Sequence, residues 1–386
     1  RRQRQMCIRD SFWMAILLTE NCIGCGACKS ACLPGSIELR QEEIGFFRAY
    51  ISEEGCTGCG RCKIVCPQLR SNRATPDTIF AYQNPIRTEL ERSQSGGAFA
   101  ALARTVIEQG GIVYGVQWNK NCTKAEFSIA QTLEQLRAFS GSKYLPADLS
   151  SILEELKNNV KRGKNVLFCG LPCQVAAIRN LLPHYDNLLL VEILCMGPMS
   201  LTVWKHLRKS MPTTLSNFLF RDKQRRGWGK ADSLYQFPDK TCQSFCSERF
   251  PAWKIFASAI TVSSSCLNCK FRSFDRVADI TIGDFWGIEH LMHLPEETIR
   301  QGISIVHVQT TKGKKYLPAI ENGILGHFTD FEKIRKYNGG YKPLSNSVKA
   351  RQKSFYNVSR WLGFKFSVYV ASFLARRGRS FPKWFQ

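Results

Sequence analysis

One cysteine pattern occurs twice between residues 22 and 66: Cys22-x-x-Cys25-x-x-Cys28-x-x-x-Cys32, then Cys56-x-x-Cys59-x-x-Cys62-x-x-x-Cys66-Pro67. Each run puts three thiols on one tight loop and a fourth further along the chain. Soft sulfur ligands hold iron in both oxidation states, and Gly24, Gly26, Gly58 and Gly60 let backbone N–H groups turn toward the sulfurs of a cluster. In two-cluster proteins with this spacing the fourth cysteine of each run serves the other cluster. The predicted ligand sets are therefore Cys22, Cys25, Cys28 and Cys66 for one 4Fe-4S cluster and Cys56, Cys59, Cys62 and Cys32 for the second. The first run reads Cys32-Leu33-Pro34, with its proline one position late, which alters the loop exit and leaves the donors in place. A pair of zinc ribbons would need different loop lengths.

With 386 residues, 44% of them hydrophobic, the chain can bury a core of two or three domains. It is too long and core-rich for its 17 cysteines to be a disulfide scaffold, so cysteine here reads as metal ligand. Apolar runs are broken by charge before they reach the ~18–20 residues of a membrane span, and no leader precedes the first motif, so the expected location is cytoplasmic. Net charge is +23, but residues 335 to 386 hold twelve Lys and Arg and no Asp or Glu, about half of the excess. The basic run Arg221 to Lys230 lacks interleaved aromatics apart from Trp228, which argues against nucleic acid. Residues 1 to 11 are set aside as a translated sequencing adapter. The run from Arg4 to Ser11 back-translates into the transposon end used to prepare libraries, which places the natural start at or before Met14, or lost.

The expected fold is an α+β ferredoxin-like two-cluster domain (residues 14–70) followed by a mixed α/β flavin- and iron-sulfur-binding domain. Residues 71–92, polar and marked by Pro76 and Pro85, read as a linker. From Ser93 helical and strand patterns alternate: helix Phe99–Glu108, strand Ile112–Val116, amphipathic Asp148–Lys161, strand Val166–Cys169, helix Cys173–Leu182 and strand Leu188–Leu194. Beyond Pro198 the periodicity weakens, with strands expected at Asp279–Ile282 and Ile303–Val308. The catalytic body is bounded at 93–335, and 336–386 form a basic tail. Its stretch Phe355–Leu374 reads as an amphipathic helix packed on the body, with an interfacial membrane helix as the alternative.

Eight cysteines lie outside the repeat and the adapter. Cys266-Leu267-Asn268-Cys269 has ligand spacing. Cys173 and Cys195 each follow a predicted strand, and strand exits of a doubly wound sheet face the ligand crevice. These four can complete a third cluster, or Cys173 and Cys195 can be small buried apolar residues; spacing alone leaves both open. His290 and His293 match no zincin pattern, and neither a dinucleotide fingerprint nor a P-loop is present.

From Ser93 onward a series of motifs resembles the coenzyme F(420) hydrogenase/dehydrogenase beta-subunit family. They are Ser93-Gln94-Ser95-Gly96-Gly97, Gly111-Ile112-Val113-Tyr114-Gly115, Ser142-Lys143-Tyr144, Val166 through Gln174, Cys195-Met196-Gly197-Pro198, Phe220-Arg221-Asp222-Lys223 with Gly227-Trp228, Ser265 through Cys269, and Asp279 through Gly287. The resemblance implies an FAD-binding, iron-sulfur oxidoreductase body and supports the third 4Fe-4S cluster at Cys173, Cys195, Cys266 and Cys269. Cys195-Met196-Gly197 departs from the Cys-His-Gly common in the family, which keeps the ligand and removes the imidazole.

The candidate flavin contacts are Ser95, Gly96, Gly97, Lys143, Tyr144, Gly170, Pro172, Gln174, Arg221, Lys223 and Asp284. Ser95-Gly96-Gly97 at a helix start offers N–H groups to a pyrophosphate, or an ordinary serine cap. Gly170-Leu171-Pro172 allows close approach of a ring, or is a plain turn. Lys143, Arg221 and Lys223 can neutralise phosphate or simply be solvated, and Asp284 can hydrogen-bond near the cofactor or cap a loop. The function expected is electron transfer between clusters, served by a ferredoxin or other redox partner, and an FAD exchanging hydride with an organic substrate or deazaflavin coenzyme. The alternative is a non-catalytic adaptor that carries clusters only. A further alternative is peripheral membrane contact through the basic tail. Protein made without oxygen should hold about eight or more irons and little zinc by elemental analysis; tightly held zinc with under about one iron per chain would refute the cluster reading.

Overall fold

The computed structural model describes residues 15–76, 78–230, 232–246, 251–363 and 366–367. The adapter residues 1–11 and the end of the basic tail lie outside them.

The cysteine repeat folds as one small unit. Strands Ala15–Leu17 and Ile37–Gln41 pair antiparallel with Phe47–Ser52 between them, and each cysteine loop feeds a one-turn helix, Ala27–Ala31 or Arg61–Val65. Both helices start from a glycine in the left-handed region, Gly26 at φ 76° and Gly60 at φ 71°, a backbone state costly for other residues.

The body is built on an eight-stranded sheet in the order Ile324–Phe328, Ile79–Tyr82, Ser304–Val308, Ile280–Asp284, Leu188–Ile193, Val166–Gly170, Ile112–Trp118, Ala125–Ala130. Ile280–Asp284, Leu188–Ile193, Val166–Gly170 and Ile112–Trp118 run parallel, and the flanking pairs are antiparallel. Every residue of Val166–Gly170 is buried, as expected of a parallel strand covered on both faces. Helix Ala98–Glu108 covers one face and Leu153–Lys161 with Pro172–Leu181 covers the other. The helix and strand expectations in this region agree with the structure to within a few residues at each end.

Several boundaries are corrected. The stretch 71–92 is no linker: Ile79–Tyr82 lies inside the large sheet between two strands, and Arg87–Arg92 is a helix. The prolines flank this short apolar strand, where they interrupt no ladder. The body also runs past residue 335, because helix Phe331–Tyr337 crosses that boundary and Tyr341 is buried against His307. A second antiparallel sheet, Asn217–Asp222, Asp232–Gln236 and Cys242–Cys246, was not anticipated. Nor are the cysteine unit and the body separately cored. Cys22, Cys25, Cys28, Ala49 and Val65 share one apolar cluster with Phe168, Val175 and Leu190.

Within the tail, helix Asn346–Leu362 packs through Gln352, Phe355 and Ser359, on one face at helical spacing. Phe355 enters the cluster of Trp204, Phe218 and Phe220. Trp361 at the helix end is 89% exposed. No helix among the described residues is long and apolar enough to cross a membrane. Phe355→Ala should cost ~3–5 kcal/mol in denaturant unfolding, whereas Trp361→Ala should change stability by less than about 0.5 kcal/mol.

Candidate functional site

The parallel strands Val166–Gly170 and Leu188–Ile193 end on the same edge of the sheet, and the chain leaving them carries Cys173 and Cys195 to that edge. Cys173 is the second residue of a helix opened by Pro172, whose fixed φ suits the first helical position. Gln174 locks the turn: its Oε1 accepts from Leu171 N at 3.0 Å and its Nε2 donates to Ala147 O at 3.0 Å. Gly197, at φ 99°, directs its N–H to Cys195 Sγ at 3.2 Å. Cys266 closes in from the short helix Ser264–Leu267, and Cys269 follows it.

Cys173, Cys195, Cys266 and Cys269 line one concavity of about 770 Å³, including its open mouth, and Cys25 stands in the same wall. A smaller space of about 280 Å³ is lined by Cys22, Cys25, Cys28, Cys66 and Pro67. Gly24 N and Ala49 N donate to Cys22 Sγ at 3.4 and 3.3 Å. Cys25 thus belongs to the linings of both spaces. The remaining set is the outermost: Cys56 and Cys59 are exposed, Cys32 and Cys62 half-buried.

The electrostatics agree with this layering. Burial, then the neighbouring Cys22 and Cys66, push the Cys28 thiol up to about 12. Burial raises Cys195 to about 11 and carries Cys25, Cys173 and Cys266 higher still, with their neighbouring cysteines adding to the effect. Four thiolates cannot coexist in such a place without a cationic core between them. No three His, Cys, Asp or Glu among the described residues gather closely enough for a single ion. A cube with one iron per thiolate keeps its ligands further apart than one tetrahedral zinc does, so the donor sets fit clusters. At the surface, the Arg61 N–H holds the Cys59 thiol below its usual value.

Beside the concavity the other motifs meet through hydrogen bonds. Gln94 Oε1 accepts from Ser142 N at 2.5 Å, joining the Ser93–Gly97 turn to the Ser142–Tyr144 loop. Lys223 Nζ donates to Ser95 O at 2.7 Å and to Gln301 O. Arg221 Nη1 pairs with Asp284 Oδ2 at 2.8 Å, lies over the Trp286 ring at 4.7 Å and is hydrogen-bonded to Tyr144. Trp228 Nε1 donates to the other Asp284 oxygen at 2.8 Å, and Tyr144 stacks on Phe256 at 3.9 Å.

Five candidate flavin contacts, Ser95, Tyr144, Arg221, Lys223 and Asp284, therefore form one polar seam. Pro172 and Gln174 border the cysteine concavity. Gly170 packs on Phe168 and on Gln174, and a Cβ on Gly96 would collide with the backbone of Tyr82 and Ser304, so both glycines serve close packing. Gly97, at φ 81°, opens helix Ala98–Glu108 without a side-chain cap. Lys143 stands apart, donating to Ala138 O and Ser140 O within its own loop. The sequence reading missed Gln94, Trp253, Trp286 and Arg272. Gln94 lay inside a recognised motif. Trp286 lay inside one too, whereas Trp253 and Arg272 carry no local signal.

Family models match the chain in three places. A 4Fe-4S dicluster domain covers residues 21–69. The coenzyme F(420) hydrogenase/dehydrogenase beta subunit matches by its N-terminal part over residues 83–154 and by its C-terminal part over 163–332. The chain belongs to the coenzyme F(420) hydrogenase/dehydrogenase beta-subunit family. That makes it an oxidoreductase subunit carrying a 4Fe-4S dicluster domain. Among solved structures, a chain of the F(420)-reducing nickel–iron hydrogenase complex from Methanosarcina barkeri is similar at 17% identity and a TM-score of 0.46. The similarity covers 75% of this chain and 94% of that one. No curated protein matches.

In this beta-subunit-type body, burial pulls the Lys223 ammonium down to about 7. The native chain then sheds that proton near pH 7 while the unfolded chain keeps it until ~10.4, so Lys223 makes stability rise with pH across that window. Replacing it by Met should flatten the rise. The thermal midpoint of Lys223→Met minus that of the parent should fall steadily from about pH 7 to about pH 9.

Proposed function

We propose that this chain carries electrons one at a time through three 4Fe-4S clusters and couples them to a bound FAD that trades a hydride with an organic substrate or deazaflavin. The observation that carries the reading is the concavity at the sheet edge, where Cys173, Cys195, Cys266 and Cys269 face one another and Cys25 of the dicluster unit forms part of the same wall. A cluster there would sit directly beside the inner cluster of the ferredoxin-type pair. The proposed order runs from Cys56, Cys59, Cys62 and Cys32 at the surface, through Cys22, Cys25, Cys28 and Cys66, to the third set.

The exposed end suits a redox protein such as a ferredoxin. Leu33 at 78% exposure, Ile64 and Leu69 give it an apolar surface near the outermost cysteines. Such a face excludes water at an encounter and needs no specific charge pairing.

FAD, when bound, supplies the change between one-electron and two-electron chemistry that clusters lack. The residues present fit such a group in the polar seam. Gln94 Nε2 is buried with no partner, between the Ser93–Gly97 turn and the Ser142–Tyr144 loop. The uncapped start of helix Ala98–Glu108 adds N–H donors beside it. Arg221 and Lys223 bring positive charge, and Tyr144, Trp253 and Trp286 provide an aromatic wall. Asp284 is held by Arg221 and Trp228 and so orients the seam.

An adaptor without flavin is favoured by one feature: Ser95 Oγ, Lys143 Nζ and Lys223 Nζ already donate to main-chain carbonyls. Full-length protein purified without oxygen and acid-denatured separates the two readings. Near-stoichiometric FAD in the supernatant is expected, together with bleaching of the flavin band by reduced ferredoxin or a reduced deazaflavin. Cluster-replete protein that releases none would leave the adaptor.

A further inference from the structure

Arg272 follows Cys269 by three residues and lines the concavity that holds Cys173, Cys195, Cys266 and Cys269. It is 9% exposed. Its Nε donates to Lys342 O at 2.6 Å, Nη1 to Met196 O at 3.3 Å and Nη2 to Gly339 O at 2.8 Å. These bonds fix the plane of the guanidinium and leave its charge uncompensated. Other deeply buried charges here meet an opposite one: Arg276 meets Glu192, Arg221 meets Asp284, and Asp279 meets Arg179. No carboxylate pairs with Arg272 among the described residues. The groups that its charge feels are Cys195, Cys269 and Cys266.

A guanidinium cannot shed its proton in a protein, so an isolated buried one is costly unless an anion faces it. Four thiolates around an iron–sulfur core leave a net anion, and each added electron makes it more negative. A fixed cation at the rim stabilises the reduced form more than the oxidised form, and net charge is one of the levers that set a cluster's potential. The ferredoxin-type pair has no equivalent. Lys270, near Cys66, is on a flexible stem and spends its donor on Gln68 O.

We infer that Arg272 is the counter-charge of the third cluster and raises its reduction potential, so that an electron arriving from the ferredoxin-type pair rests there before it moves on. The step is a single electron transfer: the donating cluster is oxidised by one electron, the third is reduced by one, no bond forms and no proton moves. The inference rests on the third-cluster reading proposed above.

The test is a redox titration of the full-length chain, made without oxygen and followed by electron paramagnetic resonance, with iron counted on the same sample. Three clusters of four predict about twelve irons in the parent protein. Arg272→Gln should lower the midpoint of one cluster by about tenfold in its reduction equilibrium, ~59 mV for one electron, and leave the other two unmoved. Arg272→Lys keeps the charge and should return most of that shift.

Arg208 is the control. It is equally buried and also donates to three carbonyls, those of Asn121, Pro212 and Thr213, but it does not line the concavity. Arg208→Gln should move no potential. A parent protein with about eight irons and no third signal removes the third cluster itself. About twelve irons with an unshifted Arg272→Gln titration overturns the role of Arg272 alone. Equal shifts in Arg272→Gln and Arg272→Lys, or loss of the third cluster's iron in both, would assign Arg272 to holding the loop and also overturn the inference.

Discussion

The shared wall at Cys25 is the constraint on which the rest of the structure depends. A two-cluster unit could hang from a body by a tether, but here its inner cysteines are packed into the same apolar cluster as Phe168 and Leu190 of the large sheet. The consequence is geometric. Two sets of thiols that belong to different parts of the chain become neighbours, and their separation is held by close-packed side chains. Electron transfer needs short, fixed distances, and a packed interface provides them where a flexible one would not. The same packing explains why burial raises the inner thiols so far: the space around Cys25, Cys28 and Cys173 is made for charge only when iron supplies the balancing positive core.

Buried charge elsewhere in the body follows one rule with instructive variations. Asp279, at the start of a central strand, accepts from Arg179 at 2.9 Å, from Leu190 N at 2.8 Å and from Thr310 at 2.8 Å. Glu192 and Arg276 satisfy each other on the adjacent strand, with Thr281 Oγ1 also donating to Glu192 at 2.8 Å. These networks clamp the parallel strands in register and leave their ends free to carry chemistry. At those ends the pairing changes character. Arg221 and Asp284 join elements far apart in the chain around a ring of aromatics, and Arg272 faces cysteines instead of a carboxylate. Positive charge therefore accumulates along the sheet edge where electrons and an anionic cofactor would be held.

Much of this was legible before any coordinates. The doubled cysteine pattern is local, because three of its four positions sit on one loop and the glycines between them set the turn, so spacing alone read as cluster chemistry. Strands such as Val166–Gly170 and Leu188–Ile193 were equally plain, being short apolar runs bounded by turn residues. Less legible was Ile79–Tyr82, a short run between prolines that reads as a connector and becomes a strand only because two partners lie on either side of it. The sheet of Asn217–Asp222, Asp232–Gln236 and Cys242–Cys246 was hidden for a related reason. Its strands alternate weakly, and partner contacts more than intrinsic propensity hold them.

Ligand identity, glycine turns, strand order within each βαβ unit and the family likeness are properties of near neighbours in the chain, so residue order was enough to determine them. Convergence was decided only in three dimensions. The meeting of Cys173, Cys195, Cys266 and Cys269, the contact of Cys25 with that group and the orphaned Gln94 amide between two motifs all depend on how distant segments pack. Arg272 makes the point most sharply. In sequence it is one of 54 basic residues, and nothing in its surroundings along the chain marks it. Only packing withholds water and a carboxylate from it and leaves thiols as its neighbours, because desolvation and proximity between remote residues are tertiary quantities.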